Sequence, residues 1–366
     1  MRPVRVLALS PVPEEGAGCR FRVSQYIPYL EGKGIRVTVR PFFTPEFFRI
    51  VYQAGAHFRK SYLFALQTLA RLRLLTQRTD YDLFFVYREA FPIGPPVIEL
   101  ALSRAKGRAL IYDFDDAIFL PNSSDANKLV DILKYPQKVP QIIRASARVV
   151  AGNAYLADYA RRYNKAVVVV PTCVDSTKFV PRPGRHGDNR EGWPTVGWIG
   201  THSTAKYLRS LLPVLERVAG KYRFHLYVVG DLTPLHSRGF EVTQAQWGQE
   251  REVEDFRCCD IGVYPLWDDD WSRGKCGFKA IQFMACGVPV VASAVGVNRE
   301  IIQDGVNGFL AATEEEWVEK LGWLLSDASL REKLGRAGRE TIVERYSLAV
   351  HAPTMATVFR STLEAV

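Results

Sequence analysis

Apolar residues in this chain fall into short blocks separated by longer stretches of mixed character. Strand-length apolar runs occupy residues 4–9, 35–39, 82–87, 109–112, 148–152 and 167–170. Residues 23–30 carry helical spacing between the first two, and Gly32 and Gly34 stop that helix. A strand, a helix and a strand in that order predict a βαβ opening and a parallel sheet. Beyond Pro171 the texture changes, and Pro181, Pro183, Gly184, Gly187 and Gly192 mark a linker. A second series follows, with strands expected over 195–199, 224–229, 260–264 and 288–293 and helices over 207–219, 314–326, 330–346 and 349–366. The 366 residues exceed what one core comfortably organises, so two α/β domains are expected, over 1–180 and 195–346, joined by a linker over 181–194. Ligands of such sheets sit at the carboxyl ends of the strands.

Composition narrows the class. The chain is 47% apolar and 24% charged, as soluble globular chains are. No apolar run approaches the roughly 20 residues of a membrane-spanning helix, and residues 4–9 are too short for a signal-peptide core. A cytoplasmic location is expected. The six cysteines form no CxxC pair and no zinc spacing, so reduced thiols and no metal are expected. The net charge of +9 is uneven, with +11 in residues 1–170 and −2 in the rest. From Lys33 to Arg78 nine basic residues face one acid, Glu46, with Phe42, Phe43, Phe47, Phe48, Tyr62, Phe64, Leu66 and Leu69 among them. That mixture suits an anionic membrane surface or an acidic acceptor, and equally an amphipathic helix with solvated arginines. No RNA-binding motif accompanies it, and no nucleic-acid partner is expected.

The second half carries specific motifs. Asp260-Ile261-Gly262-Val263-Tyr264-Pro265-Leu266 precedes Gly274-Lys275-Cys276-Gly277-Phe278-Lys279-Ala280-Ile281-Gln282. Met284-Ala285-Cys286-Gly287-Val288-Pro289-Val290-Val291-Ala292-Ser293 follows, then Gly296-Val297-Asn298-Arg299-Glu300 and Asp304-Gly305-Val306-Asn307-Gly308-Phe309-Leu310. These runs resemble the donor-binding region of glycosyltransferase family 4, retaining enzymes of the GT-B fold. The resemblance implies an α/β architecture of two Rossmann-like domains facing each other across a cleft, with residues 347–366 a helix returning to the first domain. It implies an acceptor domain over 1–180 and a nucleotide-sugar donor domain over 195–346. The implied reaction moves a sugar from a nucleotide diphosphate sugar, a co-substrate, to a hydroxyl of a glycan or lipid-linked acceptor, without a cofactor or metal. A branch with similar Asp-x-Asp-Asp and Gly-Lys-Cys-Gly-Phe-Lys runs implies bacterial surface polysaccharide assembly, on the inner face of the membrane.

Physical chemistry points to the same residues. A diphosphate needs backbone amides at a helix start and a cation. Gly277 and Phe278 open an apolar helical pattern, and Lys275 and Lys279 supply charge as the leaving group develops. Gly200 and Thr201 end a strand, with Lys206 a few residues on as the nearest match to the family's second phosphate clamp. Glu300 lies in a loop resembling a donor-facing loop. Any one of these lysines could equally be a solvated surface charge. The family's two glutamates fall here on Gly274 and Gln282; a glutamine can still bond a ribose hydroxyl, whereas Gly274 offers no side chain. Asp268, Asp269, Asp270 and Arg273 stand nearby as sugar contacts or as an exposed loop.

In the first half Asp113, Asp115 and Asp116 crowd a strand terminus, an arrangement that calls for a cationic partner. Asp115 and Asp116 are the catalytic candidates, holding sugar hydroxyls, orienting the acceptor or serving as base. Gly16, Gly18, Arg20 and Arg22 suggest a loop for phosphate or acceptor, or simply a tight turn. A nicotinamide dehydrogenase fits poorly, for Gly16-Ala17-Gly18 lacks a third glycine and the next strand ends in Arg40. Residues 109–115 also have the form of a haloacid dehalogenase-type nucleophile loop, which would require Mg²⁺ and leave the second half unexplained. A non-catalytic sugar-nucleotide-binding subunit is the third reading.

Overall fold

The computed structural model describes residues 2–365 apart from 52, 54, 77–79, 106, 122–133 and 183–191. The chain forms two compact units, Met1–Thr172 with Leu348–Val366, and Cys173–Ser347. Most of the expected linker, including Pro183, Gly184 and Gly187, lies outside the described residues. The division falls ahead of that proline-rich stretch because Val174 donates its N–H to the Tyr346 carbonyl at 3.1 Å, bonding the start of the second unit to its end.

The first unit holds a sheet of six parallel strands: β1 (Val4–Ser10), β2 (Ile35–Pro41), β3 (Leu83–Tyr87), β4 (Ala109–Phe114), β5 (Arg148–Ala151) and β6 (Val167–Val169), in the order β2-β1-β3-β4-β5-β6. β3 and β4 are buried along their whole length, as strands covered on both faces must be. One cover is the Leu348–Glu364 helix, whose Phe359 meets Phe85 of β3 edge-on at 5.4 Å and whose Arg360 bonds the Lys33 carbonyl at 2.6 Å. The order reverses between β1 and β3, which places the topological switch point at their carboxyl ends.

The second unit repeats the plan with β7 (Thr195–Ile199), β8 (His225–Val229), β9 (Glu241–Ala245), β10 (Ile261–Tyr264), β11 (Val290–Ser293) and β12 (Phe309–Ala311), ordered β12-β11-β10-β7-β8-β9 and parallel throughout. Its switch point lies between β7 and β10. The Ala205–Ala219 helix buries Leu208, Leu211, Leu215 and Val218, one stripe at helical spacing, against Val196, Leu226 and Val228 of the sheet. β9 is an edge strand of polar composition, which is why hydrophobic patterning does not reveal it.

Glycine contacts permit the tightest approaches. Gly287 has φ +72°, ending the Phe278–Ala285 helix, and a Cβ placed on Gly335 would collide with its carbonyl oxygen. Gly335→Ala should therefore cost about 1–3 kcal/mol. Gly32→Ala, in a helix with open space around the new methyl, should be neutral or slightly stabilising. Thermal unfolding of the two variants checks this; equal Tm values would mean that the loop yields without cost.

Candidate functional site

At the carboxyl ends of β1, β3 and β4 the charged groups of the first unit lock together. Gly16 caps the Ala17–Arg22 helix, and a side chain on Gly18 would strike the Tyr87 hydroxyl, so glycine lets this helix sit against the end of β3. Arg22, on that helix, is 1% exposed. Its Nε donates to Asp113 Oδ1 at 3.0 Å, its Nη2 to Asp113 Oδ2 at 2.5 Å and its Nη1 to the Val170 carbonyl at 2.7 Å. Burial pushes the Asp113 carboxyl up to about 6, against the opposing pull of Arg22, so the carboxylate is charged and paired at neutral pH. Arg22 and Asp113 thus satisfy each other as part of the wall. Arg20 on the same helix lies with its guanidinium 4.8 Å over the Phe21 ring.

Asp115 and Asp116 have a different cation. Arg88, immediately after β3, donates from Nε to Asp115 Oδ1 at 2.7 Å and from Nη2 to Asp116 Oδ2 at 2.6 Å, and the Tyr87 hydroxyl donates to Asp115 at 2.9 Å. Arg88 has φ +57°, a left-handed backbone unusual for a side-chain-bearing residue. Burial raises the Asp115 carboxyl, but the Arg88 and Arg22 charges outweigh it and hold it below the ordinary carboxylate range. The crowding of three acids is thereby relieved by two arginines, Arg22 for the first and Arg88 for the other two. Sequence reasoning required such a partner without identifying Arg88; its signal is a cation at the carboxyl end of a buried strand.

In the second unit the loops after β7, β10 and β11 gather around the switch point. Gly200 ends β7 where a side chain would meet the Trp198 ring, and Thr201 and Thr204 form a reciprocal capping box. Lys206 holds its ammonium 4.8 Å over Trp267 and 5.1 Å over Tyr207, and Trp267 Nε1 donates to Ser210 Oγ at 3.2 Å. Asp231, 2% exposed and following β8, pairs with Arg209 at 2.6 Å and faces His202 Nδ1 at 3.2 Å. His202 and Trp267 were not singled out from the sequence. The acidic run weighed as a sugar contact is engaged locally: Asp268 and Asp270 both pair with Arg273, and Asp269 caps a helical turn at the Ser272 amide.

Gly277, at φ +65°, starts the Phe278–Ala285 helix in the left-handed region, and a side chain there would strike Ile301. A glycine cap brings no side chain to that helix end, and no side chain caps its first amides. Lys279 donates to Gln282 Oε1 at 2.8 Å and lies 5.2 Å over Phe256. Gln282 is fully buried and passes the chain on to Glu252 Oε1 at 3.2 Å. Its amide is therefore committed at both ends, and it touches Lys279 instead of facing outward. Lys275 sits 5.7 Å over Trp271. Gly296, at φ +50°, lets the loop after β11 abut Arg273, and exposed Glu300 lies in the short helix that follows. Gly200, Thr201 and Lys206 thus gather after β7, and Lys275, Gly277, Phe278, Lys279 and Glu300 around the loops after β10 and β11.

Comparison with known proteins bears on both units. Residues 193–327, within the second unit, match the family described as "Glycosyl transferases group 1". A D-inositol 3-phosphate glycosyltransferase of Stackebrandtia nassauensis is 36% identical over 259 residues, 63% of this chain and 51% of that protein. The Xylanimonas cellulosilytica protein of the same name is 28% identical over 249 residues, 60% of this chain and 58% of that one. The chain thus spans just over half the length of these curated relatives. Among solved structures, sucrose-phosphate synthase from Thermosynechococcus elongatus aligns over 100% of both chains with TM-score 0.70 and 16% identity. HepE from Anabaena, in complex with UDP-glucose, aligns over 98% of this chain and 99% of that one with TM-score 0.69 and 16% identity. The fold is GT-B. The phosphatase reading finds no support among these matches, and its nucleophile position, Asp113, is fully buried against Arg22.

Two outcomes follow. Arg22→Met should destabilise the protein by about 3–5 kcal/mol by stranding a buried carboxylate, and adding Asp113→Leu should recover part of that loss; chemical denaturation of both variants reads the coupling. Burial raises Asp231, yet hydrogen bonds from Thr233 and His202 and the charge of Arg209 hold it below its usual value. Its stabilising contribution is present above about pH 4 and disappears as pH falls through the lowered value. The Tm gap between wild type and Asp231→Asn should narrow on acidification, and a gap independent of pH would remove the charge from the explanation.

Proposed function

We propose that this chain is a retaining glycosyltransferase that moves a sugar from a UDP-sugar to a hydroxyl of a glycan or lipid-linked acceptor in bacterial surface polysaccharide assembly. The observation that carries the reading is the left-handed Gly277 cap on the Phe278–Ala285 helix, beside Lys279, inside the region matched to the glycosyltransferase family. A glycine-capped helix start and a lysine are what a departing diphosphate requires. The uridine donor is supported by the UDP-glucose bound to the structurally similar HepE.

In this reading the diphosphate lies at the amides of Gly277 and Phe278, with Lys279, Lys275 and Lys206 around it and Gly200 and Thr201 lining the approach. Gln282 acts through Lys279, holding its ammonium in place while Glu252 holds the glutamine. Glu300 faces the donor sugar. The acceptor oxygen forms its bond to the anomeric carbon on the face from which the diphosphate departs. The bond from that carbon to the phosphate oxygen breaks, and the departing oxygen takes the acceptor proton. No protein nucleophile is needed. Asp115, kept ionised by Arg88, accepts hydrogen bonds from sugar hydroxyls and does not deliver a proton, and Asp116 shares the same cation. Gly16, Gly18 and Arg20 shape the acceptor loop, with Arg22 and Asp113 fixing it to the sheet.

Thermal unfolding against UDP-, GDP-, ADP- and dTDP-sugars tests the donor. A ligand at 100 times its Kd stabilises the folded state by about 2.7 kcal/mol, so UDP-sugars should raise Tm by several degrees and Lys279→Ala should abolish the rise. Turnover in Lys279→Ala should fall about 10²–10³-fold, and NMR of the product should show the donor's anomeric configuration kept. No shift with any nucleotide would sink the donor site; a shift without turnover on any acceptor would favour a non-catalytic sugar-nucleotide-binding subunit.

A further inference from the structure

The loops after β7 and β8 are pinned together at the carboxyl edge of the second sheet. Gly200 donates its N–H to the Val229 carbonyl at 3.0 Å, and a Cβ on Gly230, at φ +91°, would strike the Gly200 carbonyl oxygen. That closeness brings Asp231 to the His202–Thr204 turn, which the Thr201–Thr204 capping box holds in place. Asp231 Oδ2 accepts from Arg209 Nη2 at 2.6 Å, and Oδ1 accepts from Thr233 Oγ1 at 2.9 Å. His202 Nδ1 lies 3.2 Å from the same Oδ1. Against the upward pull of burial, the bonds from Thr233 and His202 and the Arg209 charge keep this carboxyl ionised. An ionised carboxylate can only accept, so Nδ1 carries a proton and donates it.

The histidine adds little to the fold. Arg209 already supplies the counter-charge of Asp231, and an imidazole 84% exposed buries almost no apolar surface. What the bond does is fix the ring: a carboxylate on one imidazole nitrogen sets the tautomer and aims the other nitrogen. With the proton of the neutral ring held on Nδ1, Nε2 can donate only when the ring takes up a second proton. The other charges of this corner are Lys206 and Arg209 on the Ala205–Ala219 helix, whereas Asp268, beside Trp267, is taken up by Arg273. His202 directly follows Gly200 and Thr201, which line the donor approach in the reading above.

We propose that His202 binds the donor's diphosphate through Nε2, with Asp231 as its positioning residue. The inference rests on the donor reading and adds to it a contact that protonation switches. The imidazolium donates a charge-assisted hydrogen bond to a phosphate oxygen, whereas the neutral ring, locked by Asp231, turns an acceptor toward that oxygen. UDP-glucose is the probe. It has no phosphate monoester, the group whose second ionisation falls at about pH 6, so a change in its affinity over that range belongs to the protein. Calorimetric titration should show wild-type affinity falling about tenfold between about pH 6 and about pH 8. His202→Gln should keep the wild-type Tm and bind with a Kd that does not vary over this range. Asp231→Asn should move the fall to lower pH, because the imidazolium loses its counter-ion. Wild-type binding that does not vary with pH, or a His202→Gln variant that keeps the wild-type pH profile, overturns the inference and leaves the donor assignment standing. No binding at any pH overturns both.

Discussion

The first unit depends on one buried guanidinium. Arg22 reaches from the helix after β1 to Asp113 on β4 and to the Val170 carbonyl beyond β6, so three segments distant in sequence converge on one side chain. A charge so enclosed is tolerated only with its hydrogen bonds filled, and the bidentate carboxylate fills most of them. The pair sets where the Gly16–Gly18 loop lies against Tyr87. It also fixes the end of β4, two residues before Asp115. The partly buried carboxylates of Asp115 and Asp116 can therefore be presented by Arg88 at a defined height because Asp113 beneath them is already paired.

The second unit reaches a similar result with backbone in place of charge. Gly230 fits only because no side chain stands against the Gly200 carbonyl, Gly277 because none stands against Ile301, and Gly296 because none stands against Arg273. Each contact draws a loop at the sheet's carboxyl edge closer than any side chain allows. The lysines are then steadied by aromatic rings: Lys206 by Trp267 and Tyr207, Lys275 by Trp271, Lys279 by Phe256. Ring faces hold such cations at a defined place, a useful property where an anion is to be met.

Much of this was legible in the residues. Strand-length apolar runs marked ten of the twelve strands, because strands buried on both faces have to be apolar throughout. The polar edge strand β9 escaped for the converse reason. Crowding at Asp113, Asp115 and Asp116 required cations, but which ones depended on a left-handed turn at Arg88 and on contacts spanning 27 to 91 residues, and local pattern holds neither. Gln282 was expected to bond a ribose hydroxyl. Its commitment to Lys279 and Glu252 arises from the packing of the Glu252–Arg257 helix, a tertiary fact. The basic, aromatic stretch from Lys33 to Arg78 read ambiguously until burial separated Leu63 and Leu74 from Phe58, Tyr62 and Leu69.

The return of the Leu348–Glu364 helix to the first unit has a consequence for how the protein is made. Met355, Val358 and Phe359 are buried in that unit, and Phe359 packs on Phe85 at the centre of its sheet. During synthesis the first sheet can pair its strands while one flank still lacks its cover, and all of Cys173–Ser347 must emerge before residues 348–364 arrive to close it. A ribosome carrying this chain thus holds a half-covered β-sheet for the whole time that the second unit is translated. The amino-terminal half is the part that then relies on chaperones, although it is made first.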